Sequence, residues 1–210
     1  MTIINNIEQC HSLLREHPYI SETNFNIQPK ASNLEISQIE SRLKIEFPES
    51  LKRLFLEIAS ELKFTWVFDD ERLEDDDCYF QTEDGEDLYF GGGVIWSMNN
   101  VEQLLQSHSL WSETREKWQG TFPVFHIANG DMIGVDIKSE KVMYLSHEDD
   151  EEEIQSFQLN QNLEQFFTVW SLLACPGPEF WILDSFMHEN SSKISSDTLT
   201  GTRWLEYLKG

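Results

Sequence analysis

Basic residues are scarce in this chain of 210 residues, which has 15 lysines and arginines against 38 aspartates and glutamates and a formal net charge of −23. Such a charge repels phosphate, so we expect no nucleic-acid partner. Cysteine is also sparse: Cys10, Cys78 and Cys175 are widely separated, and the sequence contains no CxxC or CxH pair. This pattern favours reduced structural thiols over a disulfide framework or a zinc site.

Long apolar runs are absent as well. No stretch approaches the ~18 apolar residues that a membrane span needs, and the N-terminus lacks the basic and apolar segments of a secretory signal. We therefore expect a cytoplasmic protein that does not contact a membrane. Apolar residues nevertheless make up 40% of the chain, which is enough to build a core and argues against disorder.

Signatures of catalysis and of metal binding are few. The glycine triplet at 91–93 lacks the GK[ST] of a phosphate loop, so a bend or bulge in a strand is favoured. The acidic segments lack the DxDxDG spacing of a calcium loop. Acid–base chemistry or metal binding would require Asp131, Asp136 and His147 to line one face. Structural roles are favoured instead, in which Asp131 caps the turn and Asp136 accepts hydrogen bonds from backbone or tyrosine groups. We expect no enzymatic activity, no cofactor and no bound metal.

Acid is abundant, and it is concentrated in two runs. The first acidic run, Asp69 to Asp87, holds eleven acids and one arginine, and the second, Glu148 to Glu153, holds six acids. These 25 residues carry −16, whereas the other 185 carry −7. An evenly charged protein of this size would place only about two negative charges on a typical binding patch of about 800 Å². A basic protein is therefore the partner we expect, although solubility alone also accounts for acidic loops.

The candidate partner-binding residues belong to these two runs. They are Asp69, Asp70, Glu71, Asp75, Asp76, Asp77, Tyr79, Phe80, Asp84, Glu86, Asp87, Glu148, Asp149, Asp150, Glu151 and Glu152. We expect the acids to steer a cationic partner and the aromatic residues near the first run, including Tyr89, to anchor it. Most of the seven tryptophans lie at core spacing, but Trp111, Trp118 and Trp204 are further candidate anchors.

Periodicity and turn signals predict a mixture of helices and strands. Ser37 to Glu40 has the form of a capping box, and the polar stretch Ser21 to Asn33 predicts a connector. The predicted helices cover residues 2–16, 37–46, 51–58, 99–105, 111–118, 162–173 and a last segment around Trp204. The predicted strands cover 62–68 and 89–97, followed by three strands between Phe122 and Glu148.

Asn129-Gly130 is the strongest short-range hairpin signal in the chain. A two-residue type I′ turn there places Phe122 opposite Ile137. One strand face then carries Phe122, Val124, His126, Ile133, Val135 and Ile137, with His126 as a hydrogen-bonded core residue. The other face carries Phe125, Ile127 and Met132, and we expect it to be covered only in part.

With its segments in this order, the chain resembles the SMI1/KNR4 family, also called the SUKH superfamily. Residues 36–55 are similar to the entry signature of that family, with its glutamate at Glu40 and its proline at Pro48. Residues 93–105 are similar to its strand with a tryptophan and the short helix that follows. The hairpin at 122–148 and the helix at 161–170 are similar to the remaining elements. In the hairpin the matching residues are Asn129, Gly130, Asp131, Asp136 and His147.

The resemblance covers residues 33–174 and implies an α+β fold, with a curved, mostly antiparallel central sheet and helices packed around it. The Asn-Gly that often follows the second helix is missing here, where Ser60 to Lys63 stands. We predict an N-terminal helix and connector at 1–32, a core domain at 33–175, and a C-terminal extension at 176–210 that packs on or beside the core.

Bacterial members of the family resemble immunity proteins, which bind and block a toxin, often a nuclease. The resemblance therefore implies a non-enzymatic protein that occludes a basic, nuclease-like toxin through its acidic surface. Fungal members resemble signalling scaffolds, and the alternative is a regulatory module that docks partners through the C-terminal extension. The sequence leaves the oligomeric state open.

Overall fold

The structure is a computed structural model that describes residues 2–69, 80–82, 85, 87–88, 91–148, 156–188 and 191–209. The α-helices of these residues are α1 (Ile3–Glu16), α2 (Asn33–Leu43), α3 (Glu49–Arg53), α4 (Val101–Ser112), α5 (Leu163–Leu172), α6 (Phe180–Ser185) and α7 (Leu199–Tyr207). The strands are β1 (Ile20–Ile27), β2 (Glu61–Phe68), β3 (Phe80–Gln81), β4 (Asp87–Leu88), β5 (Gly92–Ser97), β6 (Thr121–His126), β7 (Met132–Asp136), β8 (Val142–Leu145), β9 (Phe157–Gln158), β10 (Met187–His188) and β11 (Ser191–Ile194). A π-helical turn at Leu54–Ile58 continues α3. None of the helices in these ranges is long and apolar enough to cross a bilayer.

The described strands are distributed over four sheets. The largest has the order β6-β7-β8-β9, and each neighbouring pair in it is antiparallel. A three-stranded sheet has the order β1-β2-β5, and two short antiparallel ladders join β3 to β4 and β10 to β11. Helices combined with antiparallel sheets confirm the predicted α+β class.

Tertiary contacts divide the chain into two compact units. Unit 1 comprises Met1–Asn26, Lys63–Ile95 and Phe166–Gly210, and unit 2 comprises Ile27–Leu62 and Trp96–Gln165. The boundaries predicted after residues 32 and 175 stay a prediction.

The polar stretch predicted as a connector contains strand β1, so that prediction is wrong. The Asp69 N–H donates to Tyr19 O and the Gln28 N–H donates to Glu61 O, both at 2.9 Å, which makes β1 antiparallel to β2. An end strand of a sheet is stabilised by backbone hydrogen bonds on one side and tolerates polar side chains. The apolar pattern alone therefore did not reveal it.

Helix α2 begins a turn earlier than the sequence signal predicted. The Ser32 hydroxyl accepts from the Glu35 N–H at 3.3 Å, and the Glu35 carboxylate accepts from the Ser32 N–H at 2.7 Å. This reciprocal pair is the capping box of α2. The box predicted at 37–40 is wrong because those residues already lie inside the helix.

Two glutamates fix the segment around α3. Glu40 Oε1 accepts from the Phe47 N–H at 2.9 Å and lies 3.0 Å from Lys52 Nζ, which closes the turn between α2 and α3. Glu140, in the turn after β7, accepts from the backbone N–H groups of Glu49 and Ser50 at 3.0 and 3.1 Å. A carboxylate at these free N–H groups stabilises the start of a helix.

The loop between β6 and β7 has three residues, 128–130, so the predicted two-residue type I′ turn is wrong. The Gly130 N–H donates to Ile127 O at 3.0 Å, and the Ile127 N–H donates to Asp131 O at 2.9 Å. Gly130 has a φ of 104°, as expected for the last residue of a three-residue hairpin loop. Asn129 stabilises the loop through its side chain, whose Oδ1 accepts a hydrogen bond from the Asp131 N–H at 3.1 Å.

This loop and an irregularity between Pro123 and Phe125 change the register. Phe122 pairs with Val135 instead of Ile137, and Ile137 is 52% exposed. His126 is exposed, so the expectation of a core histidine is wrong. Both strand faces are covered, contrary to the prediction, because side chains from each are buried: Phe122, Val124, Phe125, Ile127, Met132, Ile133 and Val135.

Buried tryptophans fix the chain reversal after α5. Their indole N–H groups donate to carbonyl oxygens of residues 173–176: Trp204 to Leu173 (2.6 Å), Trp66 to Ala174 (2.7 Å) and Trp170 to Pro176 (3.2 Å). The remaining carbonyl of this segment, at Cys175, accepts from the Gly93 N–H at 2.7 Å. Helix α7, which contributes Trp204, is thereby tied into the core of unit 1.

The glycine triplet lies against this reversal, and the predicted strand there is confirmed as β5. We expect Gly92→Ala to lower the free energy of unfolding by about 1–3 kcal/mol or more, the cost of overpacking a core. A Cβ at Gly92 would lie 2.2 Å from Cys175 O and 2.8 Å from Trp66 Cζ2, so backbone would have to move. Urea denaturation measures the loss.

Gly120→Ala is the matched control, because Gly120 has a φ of 74° and no atom within 4 Å of an added Cβ. It should cost only the roughly 1–2 kcal/mol of a left-handed backbone. A Gly92→Ala protein that is more stable than Gly120→Ala would contradict the close approach.

Candidate functional site

Each acidic run begins at a described residue. Asp69 follows β2 in unit 1 and is half-buried, whereas Glu148 follows β8 in unit 2 and is exposed. Asp87 pairs with Gln81 in the β3–β4 ladder. The other acids of the candidate set, and Tyr79, lie outside the described residues: Asp70, Glu71, Asp75, Asp76, Asp77, Asp84, Glu86, Asp149, Asp150, Glu151 and Glu152. Tyr89 and Cys78 also lie outside them.

Phe80, the described aromatic candidate of the first run, lies in the core of unit 1. It is 5% exposed, and its ring centroid lies 5.0 Å from that of Trp204 and 5.6 Å from that of Tyr207. The Arg203 guanidinium lies over the ring at 5.6 Å. In this conformation Phe80 contributes to packing and offers little surface to a partner.

The start of the second run is fixed by Asp131, which is 2% exposed. Its Oδ1 accepts from both the backbone N–H and the Nδ1 of His147, at 2.8 and 2.7 Å. Its Oδ2 accepts from Asn129 Nδ2 at 2.7 Å and from the Tyr144 hydroxyl. Sequence reasoning missed Tyr144, whose hydroxyl in an otherwise apolar strand was the available signal.

Asp131 remains a carboxylate despite its burial. Burial by itself raises the pKa of Asp131, but the hydrogen bonds from Tyr144, His147 and Asn129 together outweigh it and hold the pKa below its usual value. An ionised acceptor then faces His147 Nδ1, which donates, so His147 Nε2 is the ring nitrogen that faces outward. The exposed Glu148 lies there, with its Oε1 3.7 Å from Nε2.

The structure brings together only two of the three residues considered for acid–base chemistry. Asp131 and His147 are paired, whereas Asp136 lies at the β7–β8 turn and accepts from the Lys138 and Ser139 N–H groups at 3.2 and 2.6 Å. Asp136 thus accepts backbone hydrogen bonds, as predicted, and caps the β7–β8 turn, whereas the tyrosine hydroxyl, of Tyr144, donates to Asp131. The Asp131–His147 pair positions the backbone from which the second acidic run continues.

The described residues contain no group of three or more histidine, cysteine, aspartate or glutamate side chains placed to hold a metal ion. Cys10 and Cys175 are buried free thiols. Burial raises the pKa of Cys10 to about 11 and that of Cys175 well above its usual value, so both stay protonated and are poor nucleophiles.

The three tryptophans considered as anchors differ in exposure. Trp118 and Trp204 are both 0% exposed and belong to the cores of their units. Trp111, near the end of α4, is half-buried. Its ring centroid lies 6.0 Å from that of His147 and 6.2 Å from that of Trp118. Trp111 is therefore the tryptophan of the three that retains exposed surface, and it contacts His147, the residue before the second acidic run.

In this α+β domain the carboxylates of Glu40, Asp131 and Asp136 are used for structure, and the acid of the sequence is concentrated in two runs. The chain belongs to the SMI1/KNR4 family (SUKH-1), whose family model matches residues 30–168. That family is known for immunity-type proteins. Searches of curated proteins and of solved structures found no match.

The matched range contains Glu40, Asp131 and His147 but ends before the tryptophan-bound reversal at 173–176 and before α7. Helix α1 and the C-terminal segment are thus features of this chain beyond the family match. Both pack within unit 1, where the Cys10 thiol donates to Ser171 O at 3.4 Å and Trp204 donates to Leu173 O.

Proposed function

We propose that this protein is a non-enzymatic, immunity-type binding protein that neutralises a basic, nuclease-like toxin by occluding it with an acidic surface. Family membership supports the immunity role. The observation that carries the proposal is the charge distribution, with −16 on 25 residues in two runs. The exposed Glu148 and the half-buried Asp69, at the starts of these runs, are consistent with charge that faces solvent.

Electrostatics explain why such a surface suits a nuclease. An enzyme that binds the phosphate backbone presents a positive surface to it, and a concentrated acidic surface competes for the same groups. Complementary charge also accelerates encounter by about 10 to 10³-fold, an advantage that salt removes. Fast capture matters for an immunity protein because the toxin acts on the cell until it is bound.

The Asp131–His147 pair supports a role without catalysis. Four hydrogen bonds occupy both oxygens of Asp131, so the carboxylate is fully used inside the protein. The acidic neighbour of His147 Nε2, Glu148, would repel an anionic substrate. The pair is better suited to hold a loop than to transform a ligand.

Neutralising three acids of the first run, Asp75→Asn, Asp76→Asn and Asp77→Asn together, is expected to slow association several-fold at low salt. The partner for the test is a basic toxin-like domain encoded by a neighbouring open reading frame. The rate is measured by stopped-flow mixing at low and at high ionic strength. The difference should shrink at high salt, because screening acts on the same charges.

A matched control removes three exposed acids elsewhere: Glu8→Gln, Glu57→Gln and Glu164→Gln. Both triple variants change the net charge equally, so a larger effect of the first isolates the contribution of the run. An association rate at low salt that is the same for the first variant and the wild type would overturn the steering mechanism.

A further inference from the structure

We propose that His147 Nε2 and the Glu148 carboxylate form a surface chelate for a divalent ion that prefers nitrogen ligands, such as Zn²⁺, with water completing the coordination. The site goes beyond the proposed function and does not depend on it. No bound metal is expected from the sequence alone, because the register that places Asp131 behind His147 was not predicted. His147 and Glu148 both belong to unit 2.

The Asp131 carboxylate behind His147 has the arrangement of the outer shell of a metal site. Its Oδ1 accepts from His147 Nδ1 at 2.7 Å, and its Oδ2 is held by Asn129 Nδ2 at 2.7 Å and by the Tyr144 hydroxyl. Histidines that bind metals almost always donate their other ring N–H to a carboxylate, a carbonyl or water, which fixes the tautomer and makes the free nitrogen more basic. His147 thus presents the lone pair of Nε2 outward.

The His147 ring is held in this orientation. Its backbone N–H donates to the same Asp131 Oδ1 at 2.8 Å, and its ring meets that of Trp111 edge-on at a centroid distance of 6.0 Å. The side chain nevertheless remains 27% exposed, and Nε2 forms no hydrogen bond with the residues that the structure describes. A ligand atom that is already oriented and reached by solvent loses little entropy when an ion binds.

Glu148 supplies the second ligand atom. Its Oε1 lies 3.7 Å from His147 Nε2, which is too far for a hydrogen bond between them. Zn–N and Zn–O bonds are about 2.0–2.2 Å long, so two ligand atoms of one tetrahedral ion lie about 3.4 Å apart. The Glu148 side chain is 48% exposed and can close this small difference by rotating.

The charge at the pair favours a cation. The Glu148 carboxylate forms no ion pair with a lysine or arginine of the described residues. Arg115, the described cation that contacts Trp111, lies over that ring with its guanidinium carbon 5.0 Å from the centroid. Imidazole combined with carboxylate suits Zn²⁺, Cu²⁺ and Ni²⁺, whereas Mg²⁺ and Ca²⁺ prefer oxygen ligands alone. Two protein ligands leave the remaining positions to water, so we expect reversible binding.

Two other histidines lie in unit 2, and neither has this arrangement. His108 is 8% exposed, and its Nε2 lies 2.9 Å from the Thr121 hydroxyl, so that nitrogen is occupied. His126 is exposed, and among the described residues no carboxylate forms a hydrogen bond or ion pair with its ring. His126 therefore serves as the matched control for an exposed imidazole without an oriented partner.

The test replaces His147 with asparagine. In His147→Asn the amide nitrogen takes the place of the imidazole Nδ1, so the hydrogen bond to Asp131 is retained and only the ligand atom Nε2 is lost. Binding of Zn²⁺ to the full-length protein is measured by calorimetry in excess Mg²⁺, which competes for carboxylates but not for imidazole. We expect the wild type to bind one zinc ion at this site and His147→Asn to weaken that binding about tenfold or more.

Nuclear magnetic resonance of the histidine ring nitrogens identifies the ligand atom. Zinc should shift the signal of His147 Nε2 and leave the proton on Nδ1, because Asp131 holds that proton. Glu148→Gln removes a carboxylate at an exposed position and should weaken zinc binding severalfold with little effect on stability. His126→Asn should leave the zinc affinity unchanged.

Three results would overturn the site. The first is a wild type that does not bind zinc in excess Mg²⁺. The second is equal zinc affinity of the wild type and His147→Asn, which would place the ion on other carboxylates. The third is an equal loss in His126→Asn and His147→Asn, since any exposed histidine would then suffice. If His147→Asn is unstable, Glu148→Gln decides: a lower zinc affinity supports the chelate, and an unchanged one overturns it.

Discussion

Replacing Trp204 with alanine is expected to lower the free energy of unfolding by about 3–5 kcal/mol, the range for deleting a buried aromatic side chain. Trp204 is 0% exposed, and its ring centroid lies 5.8 Å from that of Trp66 and 5.0 Å from that of Phe80. Alanine would leave a cavity among these rings. It would also remove the donor to Leu173 O, and a buried carbonyl without a donor adds to the loss.

Urea denaturation followed by near-ultraviolet circular dichroism measures this change. Trp204→Phe keeps an aromatic ring but not the N–H group, so its loss should be smaller than that of the alanine variant. Leu199→Ala is the control on the same helix, because Leu199 is 56% exposed and its truncation should cost about 0.5 kcal/mol or less. Equal stabilities of Trp204→Ala and Leu199→Ala would show that α7 is not part of the core.

The position of Trp204 also changes how the scaffold alternative is tested. Deleting residues 179–210 would remove Trp204 together with other buried side chains, Ile182, Leu183 and Phe186. We expect that deletion to unfold unit 1, so a loss of partner binding after it would not separate docking from unfolding. Leu199 and Lys209 are exposed positions of the extension, so we expect Leu199→Asp and Lys209→Glu to retain the fold. A loss of partner binding in these variants alone would favour the scaffold role.

Asp131→Asn is expected to lower the free energy of unfolding by about 2–3 kcal/mol. Each Asp131 oxygen accepts two hydrogen bonds, Oδ1 from His147 and Oδ2 from Asn129 and Tyr144. The asparagine amide replaces one of these oxygens with a donor group. In either orientation of the amide an N–H group, of Asn129 or of the His147 backbone, would then face a donor in a site that water does not reach, because Asp131 is 2% exposed. Chemical denaturation at neutral pH measures the loss.

Asp136→Asn provides the matched control. Both hydrogen bonds of Asp136, from the Lys138 and Ser139 N–H groups, end on the same oxygen, Oδ1. Asparagine retains one carbonyl oxygen and can accept both bonds, so we expect a loss of about 0.5 kcal/mol or less. If the two variants lose the same stability, the buried acceptor role of Asp131 is contradicted.

The contribution of Asp131 also depends on pH in a defined direction. The pKa of Asp131 in the folded protein lies below its usual value, because its hydrogen bonds outweigh the effect of burial. The unfolded chain, with an aspartate pKa of about 3.9, therefore binds the proton first as the pH falls. The stabilisation is complete above this value and is lost as the pH falls through the folded pKa.

The wild type and Asp131→Asn should therefore become more similar in stability as the pH is lowered from about 5 towards 3. Denaturation curves of both proteins across this range provide the measurement. A stability gap that widens on acidification would show instead that folding raises the pKa of Asp131.

Local sequence patterns predicted helices and strands correctly where the structure of a short stretch depends mainly on its own residues. The spacing of Ile3, Ile7, Cys10 and Leu14 predicted α1, and all four side chains are buried. The aromatic and β-branched run at 62–68 predicted β2. The predictions failed where the partner is distant in sequence. Strand β1 is one case, because it depends on pairing with β2. At α2 the failure was local: two similar capping patterns lie about one turn apart, and the helix begins at the earlier one, at Ser32.

In the hairpin, too, the local sequence predicted one part of the structure correctly and failed where distant residues take part. Asn129-Gly130 predicted a turn, and a turn is present, but whether it has two or three loop residues depends on what the register buries. The observed three-residue loop places Asp131 beside Tyr144 and His147 and leaves His126 exposed. Fixed hydrogen bonds among these residues, brought together by two hairpins, select that register over the predicted one.

The sequence by itself determined the α+β class, the likeness to a known family and the concentration of acid in two runs, because these follow from composition and local periodicity. Only the tertiary structure decided which aromatic residues are buried and which one keeps part of its surface exposed to solvent. Phe80, Trp118 and Trp204 are enclosed by side chains far away in the sequence, whereas Trp111 is only half-buried, against His147. Burial depends on contacts between distant segments, and these are set only when the elements pack together.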